Sequence, residues 1–197
     1  MAVNQLKAGV FLSYILLVLN TLIGLLYTPF LIRMLGPSDY GLYSLAISVI
    51  GYLTVLDLGF GNAIVRYTSK FRAEGKLREQ EELFGMFFII YWCISALAFI
   101  IAIILIWNTE NLFSSNMTAE EIKRMRIILL LMSFNLAFTF PMSIWGAIIT
   151  AYEKFVFQKT LNIIRTLLNP LVMIVFLLNG YKAISLVVVT TVFNVLT

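Results

Sequence analysis

Histidine is absent from the 197 residues of this chain, and that absence excludes several kinds of catalytic site. Without histidine there is no Ser/His/Asp triad, no histidine general base and no histidine-containing metal site. The one cysteine, Cys93, leaves no partner for an intrachain disulfide, and it indicates no particular redox compartment. The sequence therefore predicts neither a catalytic constellation nor a metal centre nor a bound cofactor.

Charged residues are also scarce, at 12% of the chain, about half of the share usual in soluble domains. Hydrophobic residues make up 61% and come in long runs rather than on alternating faces. About 20 apolar residues in a helix suffice to span the hydrocarbon core of a bilayer. The composition therefore predicts an all-α, polytopic membrane helix bundle.

Six apolar stretches predict about six transmembrane helices, at 8–32, 40–65, 83–107, 127–152, 160–181 and 183–197. The first is longer than the apolar core of a signal peptide and lacks a cleavage site, so we expect it to be retained. The sixth contains only 15 residues, which is short for a span. Either the last segment ends unusually short or the sequence is a fragment, and we expect residues 1–197 to be a fragment of a longer protein.

Polar segments between the stretches predict where the chain turns. Gly36 and Pro37 predict a tight hairpin between the first two helices. The charged segment 66–82 fits either a short interfacial helix or a solvated loop. Thr118 followed by Glu121 fits a capping box, which predicts that the fourth helix begins there.

Lysine and arginine are unequally divided between the two sides of this predicted topology. A cytoplasmic N-terminus puts 8 of them on the cytoplasmic side and 5 on the other, which favours that orientation. The net charge of +4 then reflects topology and not a nucleic-acid partner. The 8 are Lys7, Arg66, Lys70, Arg72, Lys76, Arg78, Lys154 and Lys159; the 5 are Arg33, Lys123, Arg124, Arg126 and Lys182.

Asp57 and Arg165 are the single charges inside two otherwise uncharged stretches. A charge in a membrane-spanning segment is costly unless it faces protein or water. On regular helices Asp57 lies about 13 Å inside Arg66, and Arg165 about 9 Å inside its own boundary. The two charges are therefore expected at a similar depth in the membrane. They could form an ion pair or line two walls of one cavity. Alternatively, each side chain extends separately to the membrane interface.

Asn20, Asn135 and Asn169 lie near the middle of their stretches. An amide in hydrocarbon needs a partner, so these side chains are expected between helices or in a cavity, either as packing contacts or as part of a site. Gly59 and Gly61 are expected to loosen the helix beside Asp57. They do not form a phosphate-binding loop, because no strand precedes them.

Two groups of short motifs carry a family resemblance. The segment YTPFLIRMLGP at 27–37, followed by DYGLY at 39–43, resembles the first hairpin of polysaccharide-lipid flippases for O-antigen, capsule or exopolysaccharide. The segments LDLGFGNA at 56–63 and VRY at 65–67 continue the likeness. These flippases belong to the multidrug/oligosaccharidyl-lipid/polysaccharide exporter superfamily.

The resemblance implies a fold of two lobes around a central cavity that opens alternately to each side of a bacterial or archaeal plasma membrane. This chain would supply the first lobe, and a C-terminal lobe would be its partner. The implied substrate is a polyprenyl-linked oligosaccharide, moved between leaflets of membrane lipid without covalent chemistry.

The same resemblance suggests roles for the intramembrane charges. Arg165 would bind the lipid-linked diphosphate, since its fork can contact two phosphate oxygens. Arg33 and Arg66 are rim candidates or simply topological anchors. Asp57 would bind a coupling ion, either H⁺ or Na⁺, if transport is coupled at all.

Two other functions remain open from the residues. A multidrug exporter of the same superfamily would be expected to have an acidic cavity. A membrane enzyme of polysaccharide assembly would be expected to carry clustered polar residues on a large external loop, and the longest segment between stretches here is about 20 residues.

Overall fold

A computed structural model describes residues 4–113, 117–180 and 183–196 of the chain. In these ranges the chain is all α-helical apart from turns and one 3-10 segment, and they contain no β-strand. Lys182, counted above for topology, and Thr197, at the end of the sixth stretch, lie outside the described residues. The helices are α1 (Gln5–Leu53), α2 (Phe60–Ala73), α3 (Leu77–Trp107), α4 (Thr109–Phe113), α5 (Ala119–Ala151), α6 (Phe155–Leu178) and α7 (Ala183–Leu196).

Among the described residues, four helical stretches are long and apolar enough to cross a membrane. They are Gln5–Ala73, Leu77–Trp107, Ala119–Ala151 and Phe155–Leu178, and a shorter apolar helix covers Ala183–Val192. The prediction of an all-α, multi-pass membrane bundle is confirmed. The first of these stretches is 69 residues long, about three times what one crossing needs, because it turns back on itself.

Gly36 divides α1 into a first arm, residues 5–35, and a second arm, residues 37–53. Its φ of 81° and ψ of 164° are not helical, and a residue with a Cβ rarely adopts this conformation. The first arm runs parallel to α6. At one end Gln5 Oε1 accepts a hydrogen bond of 3.2 Å from the Val156 amide, and further along the Tyr27 hydroxyl lies 3.0 Å from the Met173 sulfur.

The second arm runs back alongside α5. It begins where Asp39, only 5% exposed, forms a salt bridge of 2.8 Å with Arg124, and where Ser38 donates to Glu121. The Thr118 hydroxyl accepts from the Glu121 amide while the Glu121 carboxylate accepts from the Thr118 amide, which confirms the predicted capping box. Because α5 and α6 are antiparallel neighbours, the two arms are antiparallel as well, as the hairpin prediction requires.

The helix predicted over 40–65 is interrupted. Thr54–Asp57 forms a 3-10 turn, Leu58 and Gly59 have positive φ values of 50° and 75°, and α2 starts at Phe60. Asp57 therefore lies at a break and not on the regular helix used for the depth estimate above. The charged segment 66–82 is neither a separate interfacial helix nor a loop, since it forms the end of α2, a turn at 74–76 and the start of α3.

Contacts between α2, α3 and α5 fix the end of the bundle where the charged segment lies. The Arg72 guanidinium lies 4.8 Å from the centroid of the Tyr152 ring and donates a bond of 3.3 Å to the Ala151 carbonyl. Gln80 donates to the Tyr152 hydroxyl at 2.9 Å. The start of α1, the charged segment and the α5–α6 connection thus share one end, opposite the Gly36 turn, which is the pairing of loops that the topology count assumed.

Candidate functional site

A cavity of about 650 Å³ lies between α5, α6 and α7. Polar side chains form much of its wall, and among the described residues the only charged one is Arg165. A cavity that holds a cation and no carboxylate favours an anionic occupant. Its lining residues are Thr139, Met142, Ser143, Trp145, Gly146, Ile149, Gln158, Leu161, Asn162, Arg165 and Asn194.

Arg165 lies on α6, ten residues after Phe155, so about 15 Å of helix separates it from the start of α6. The side chain is half-buried, and its Nη2 donates a hydrogen bond of 2.6 Å to Oδ1 of Asn194 on α7. Arginine keeps its charge in such a position and carries several further donors. The guanidinium is therefore held in the cavity wall by a neutral partner that leaves its positive charge unneutralised.

Asn135 lies behind Asn194, on α5. Its Oδ1 accepts a bond of 2.8 Å from Asn194, and its Nδ2 donates to the Thr191 hydroxyl at 3.3 Å. A second cavity of about 330 Å³ lies on the side of the second arm of α1, and Asn135 is one of its lining residues. Thr139 and Asn194 line both this cavity and the 650 Å³ cavity. The sequence interpretation expected Asn135 between helices or in a cavity, and in the structure its amide bonds from α5 to two residues of α7.

Asp57 lies in a different environment, at the break between the 3-10 turn and α2. Its Oδ1 accepts a hydrogen bond of 2.9 Å from the hydroxyl of Tyr91, which is fully buried on α3. The Tyr91 ring stacks on Phe140 of α5 with centroids 6.5 Å apart. Ser143, a residue of the 650 Å³ cavity, also lies against the Tyr91 hydroxyl.

Asp57 and Arg165 thus flank the same part of α5, residues 139–143, from two sides. Asp57 reaches it through Tyr91, while Arg165 shares the cavity with Thr139 and Ser143. They do not pair: among the described residues, no Lys or Arg forms a salt bridge with Asp57, and the Arg165 guanidinium bonds to Asn194. Neither arrangement expected above is present among the described residues, since the two side chains form no ion pair and Asp57 does not line the Arg165 cavity; each has its own partner on a different side of α5.

The other candidate residues lie outside the cavity. Asn20 is exposed on the first arm of α1 and satisfies its amide locally by donating to the Leu16 carbonyl at 2.9 Å. Asn169 lies one turn beyond Arg165, partly buried, and its Oδ1 has no hydrogen-bond partner in the described chain. Arg33 and Arg66 are both exposed, and the Arg66 guanidinium lies 5.9 Å from the Tyr67 ring centroid.

Asn194 is one of the cavity residues that sequence reasoning missed, along with Gln158 and Asn162. Asn194 belongs to the stretch 183–197, which is short for a span and in which the sequence predicted no site residue. The signal that identified the other asparagines, a lone amide within an apolar helix, applies to it equally. No sequence signal marked Tyr91 as a site residue, because tyrosine is common in the cores of apolar helices and the sequence does not show its hydrogen-bond partner.

Comparison with known proteins assigns nearly the whole chain to one family. The sequence profile described as "Polysaccharide biosynthesis protein" matches residues 6–197. A protein of Shigella flexneri named "Putative O-antigen transporter" is 24% identical over 136 residues, which cover 68% of this chain and 31% of that protein. The chain therefore spans about a third of the length of this relative. No solved structure matches the chain significantly.

Proposed function

Because the chain belongs to the polysaccharide biosynthesis protein family, we propose that it forms one lobe of an exporter for polyprenyl-diphosphate-linked oligosaccharides. In this proposal the substrate crosses the cytoplasmic membrane of a bacterium or archaeon, from the inner to the outer leaflet, by alternating access. No bond is made or broken in that process, so the protein acts as a transporter. The name of the Shigella relative and the membrane-spanning helices support this function.

The observation that carries the proposal is the Arg165 cavity. A diphosphate presents several oxygens in geometries that match the guanidinium fork, and inside a membrane the attraction is weakly screened. The polar residues around Arg165, including Gln158 and Asn162, can donate to phosphate or to the first sugar. A cationic drug would find a positive charge there, so the cavity favours the polysaccharide substrate over a multidrug one.

A second, C-terminal lobe completes the cavity in this proposal. The matched segment is only 31% of the Shigella relative, which leaves ample length in that protein for another helical repeat. Two lobes that rock against each other around a fixed site provide alternating access without refolding either lobe. The lobe described here would then present its α5–α6–α7 cavity to the partner lobe.

Asp57 is proposed as the residue that binds the coupling ion, H⁺ or Na⁺. Among the described residues its carboxylate has one hydrogen-bond partner, the neutral Tyr91 hydroxyl, and it therefore retains oxygen lone pairs for an ion. The break in the helix beside it also frees backbone carbonyls that a sodium ion can use. An Asp57→Asn variant should insert normally but lose the dependence of transport on pH or sodium; an unchanged dependence contradicts this role.

The transport function is tested in proteoliposomes that contain the full-length protein and a fluorescent polyprenyl-diphosphate-linked oligosaccharide. Arg165→Gln should reduce the rate of translocation about 10- to 100-fold, because a charged partner of the diphosphate is lost. Arg78→Gln is the matched control, since Arg78 is exposed and its one ion-pair partner in the described parts of the chain is Glu82, at 3.0 Å. A wild-type rate in the Arg165→Gln protein would refute the proposal.

A further inference from the structure

We infer that Asn194, with Asn135 behind it, is a positioning residue that orients the Arg165 guanidinium toward an anion in the cavity. This inference rests on the proposed function, because it concerns how the same cavity holds its diphosphate. We call the chain of side chains Asn135, Asn194 and Thr191 the amide relay. It connects α5 and α7 to the cation on α6.

The direction of every bond in the amide relay follows from Arg165. A guanidinium only donates, so Asn194 must present Oδ1 to it and turn Nδ2 away. That Nδ2 donates to Oδ1 of Asn135 at 2.8 Å, which leaves Nδ2 of Asn135 to donate to the Thr191 hydroxyl at 3.3 Å. The bonds therefore run in one direction, and no amide can flip without breaking two of them.

The Thr191 hydroxyl anchors the far end of the relay. It donates in turn to the Val187 carbonyl of its own helix at 2.8 Å. Thr139 donates to the main-chain carbonyl of Asn135 at 2.8 Å and to its Oδ1 at 3.3 Å, which holds the second amide from the side. Both amides are thus fixed by groups other than Arg165, so the acceptor that Asn194 offers is already in place.

The remaining donors of Arg165 are well placed for a ligand. Guanidinium has five N–H donors, and the bond to Asn194 uses one on Nη2. The others can meet two oxygens of a phosphate in the bidentate geometry that arginine favours. A long side chain that is already fixed in its binding rotamer loses less conformational entropy when the anion arrives. The relay therefore strengthens anion binding without contributing charge.

Affinity for farnesyl diphosphate tests the inference. This short polyprenyl diphosphate is titrated by calorimetry into the full-length protein in detergent. Asn194→Leu should weaken binding about tenfold, the loss expected for one hydrogen bond to a charged group. Asn135→Leu should weaken it several-fold. The double variant should bind no more weakly than Asn194→Leu alone, since both act through one bond. Asn179→Leu, which removes an exposed amide that donates to the Val175 carbonyl of its own helix, should not change affinity.

Asn194→Asp separates positioning from simple packing. Aspartate keeps the size of asparagine and the contact with Arg165, so a purely structural role predicts a milder defect than Asn194→Leu. Positioning for an anion predicts the reverse: the carboxylate neutralises the guanidinium, and binding should fall about 100-fold. Asn194→Ser, whose hydroxyl is too short to reach Arg165, should behave like Asn194→Leu and replaces it if the leucine variant does not fold.

Two outcomes overturn the inference: an affinity within twofold of wild type for Asn194→Leu, or independent, additive effects of the two leucine variants. If wild-type protein does not bind farnesyl diphosphate, the proposed function fails instead. The relay is then judged by thermal unfolding of Arg165→Leu, Asn194→Leu and their double variant. If the double variant lowers the melting temperature by less than the sum of the two single variants, the bond between the two residues is supported. If the double variant lowers it by that sum, the inference is overturned.

Discussion

The hydroxyl of Tyr91 donates a hydrogen bond of 2.9 Å to Oδ1 of Asp57 at the one place where the chain between α1 and α2 leaves the helix. Tyr91 is fully buried and is held by stacking on Phe140 and an edge contact with Phe60. The bond therefore ties the helix break to α3 and α5, and it fixes the carboxylate beside the helix that carries the cavity.

Tyr91→Phe should destabilise the bundle by about 1 kcal/mol, because the ring is kept and only the donor to Asp57 is lost. Thermal unfolding in detergent measures the change. Tyr14→Phe is the control: Tyr14 is 67% exposed, and removal of its hydroxyl should not shift the melting temperature. Equal shifts in the two variants would show that the Tyr91–Asp57 bond contributes nothing specific.

Gly59→Ala should destabilise the protein by about 1 kcal/mol, since Gly59 has a φ of 75° that a residue with a Cβ adopts only with strain. Gly24→Ala should be neutral or stabilising: Gly24 is helical, no described atom outside its own stretch of helix backbone lies within 4 Å of the place that an alanine Cβ would occupy, and alanine is the better helix former. Chemical or thermal denaturation compares the two. A Gly59→Ala protein as stable as wild type would mean that the break straightens at no cost.

The features that the sequence predicted correctly depend on residues close together in the chain. The turn within α1 depends on two adjacent residues, Gly36 and Pro37. The cap at the start of α5 depends on Thr118 and Glu121, three positions apart. The length of the apolar stretches was likewise enough to predict an all-α membrane bundle. Such signals are local, so periodicity and turn chemistry suffice to read them.

The features that the sequence did not predict depend on partners distant in the chain. Asp57 was assigned to a regular helix, because only the positive φ of Leu58 and Gly59 reveals the break. Asn20 and Asn135 look alike as lone amides in apolar stretches, yet one bonds to its own helix and the other to α7. The partner of Arg165 is 29 residues away, and no pattern in the sequence connects the two.

Acidification should weaken the turn between α2 and α3 through Glu74. The Lys76 ammonium, 2.7 Å away, together with Lys70, holds the pKa of the Glu74 carboxyl below its usual value of 4.5. A carboxyl with a lowered folded-state pKa stabilises the protein above its unfolded pKa, and the contribution is lost as pH falls through the folded value. Melting temperature should therefore decline below about pH 4.5, and part of the decline should be absent in Glu74→Gln.

Glu81→Gln, which removes an exposed carboxylate on α3, is the control for the Glu74 measurement. It should keep the acid-side decline of the wild type. High salt should also reduce the difference between wild type and Glu74→Gln at neutral pH, because the ion pair is exposed and screened. Identical acid profiles for wild type and Glu74→Gln would contradict the assigned role of the pair.

Labelling of single cysteines from outside the cell should show that the N-terminus is cytoplasmic. The contacts of Arg72 with Tyr152 and Ala151 put the charged segment at the same end of the bundle as the α5–α6 connection, while Lys123 lies at the opposite end. The excess of lysine and arginine at the first end predicts that this end stays inside. In a Cys93→Ser background, Lys123→Cys should therefore react with a membrane-impermeant maleimide in intact spheroplasts, and Arg78→Cys should react only after lysis. The reverse pattern would invert the topology, and with it the direction of the proposed transport.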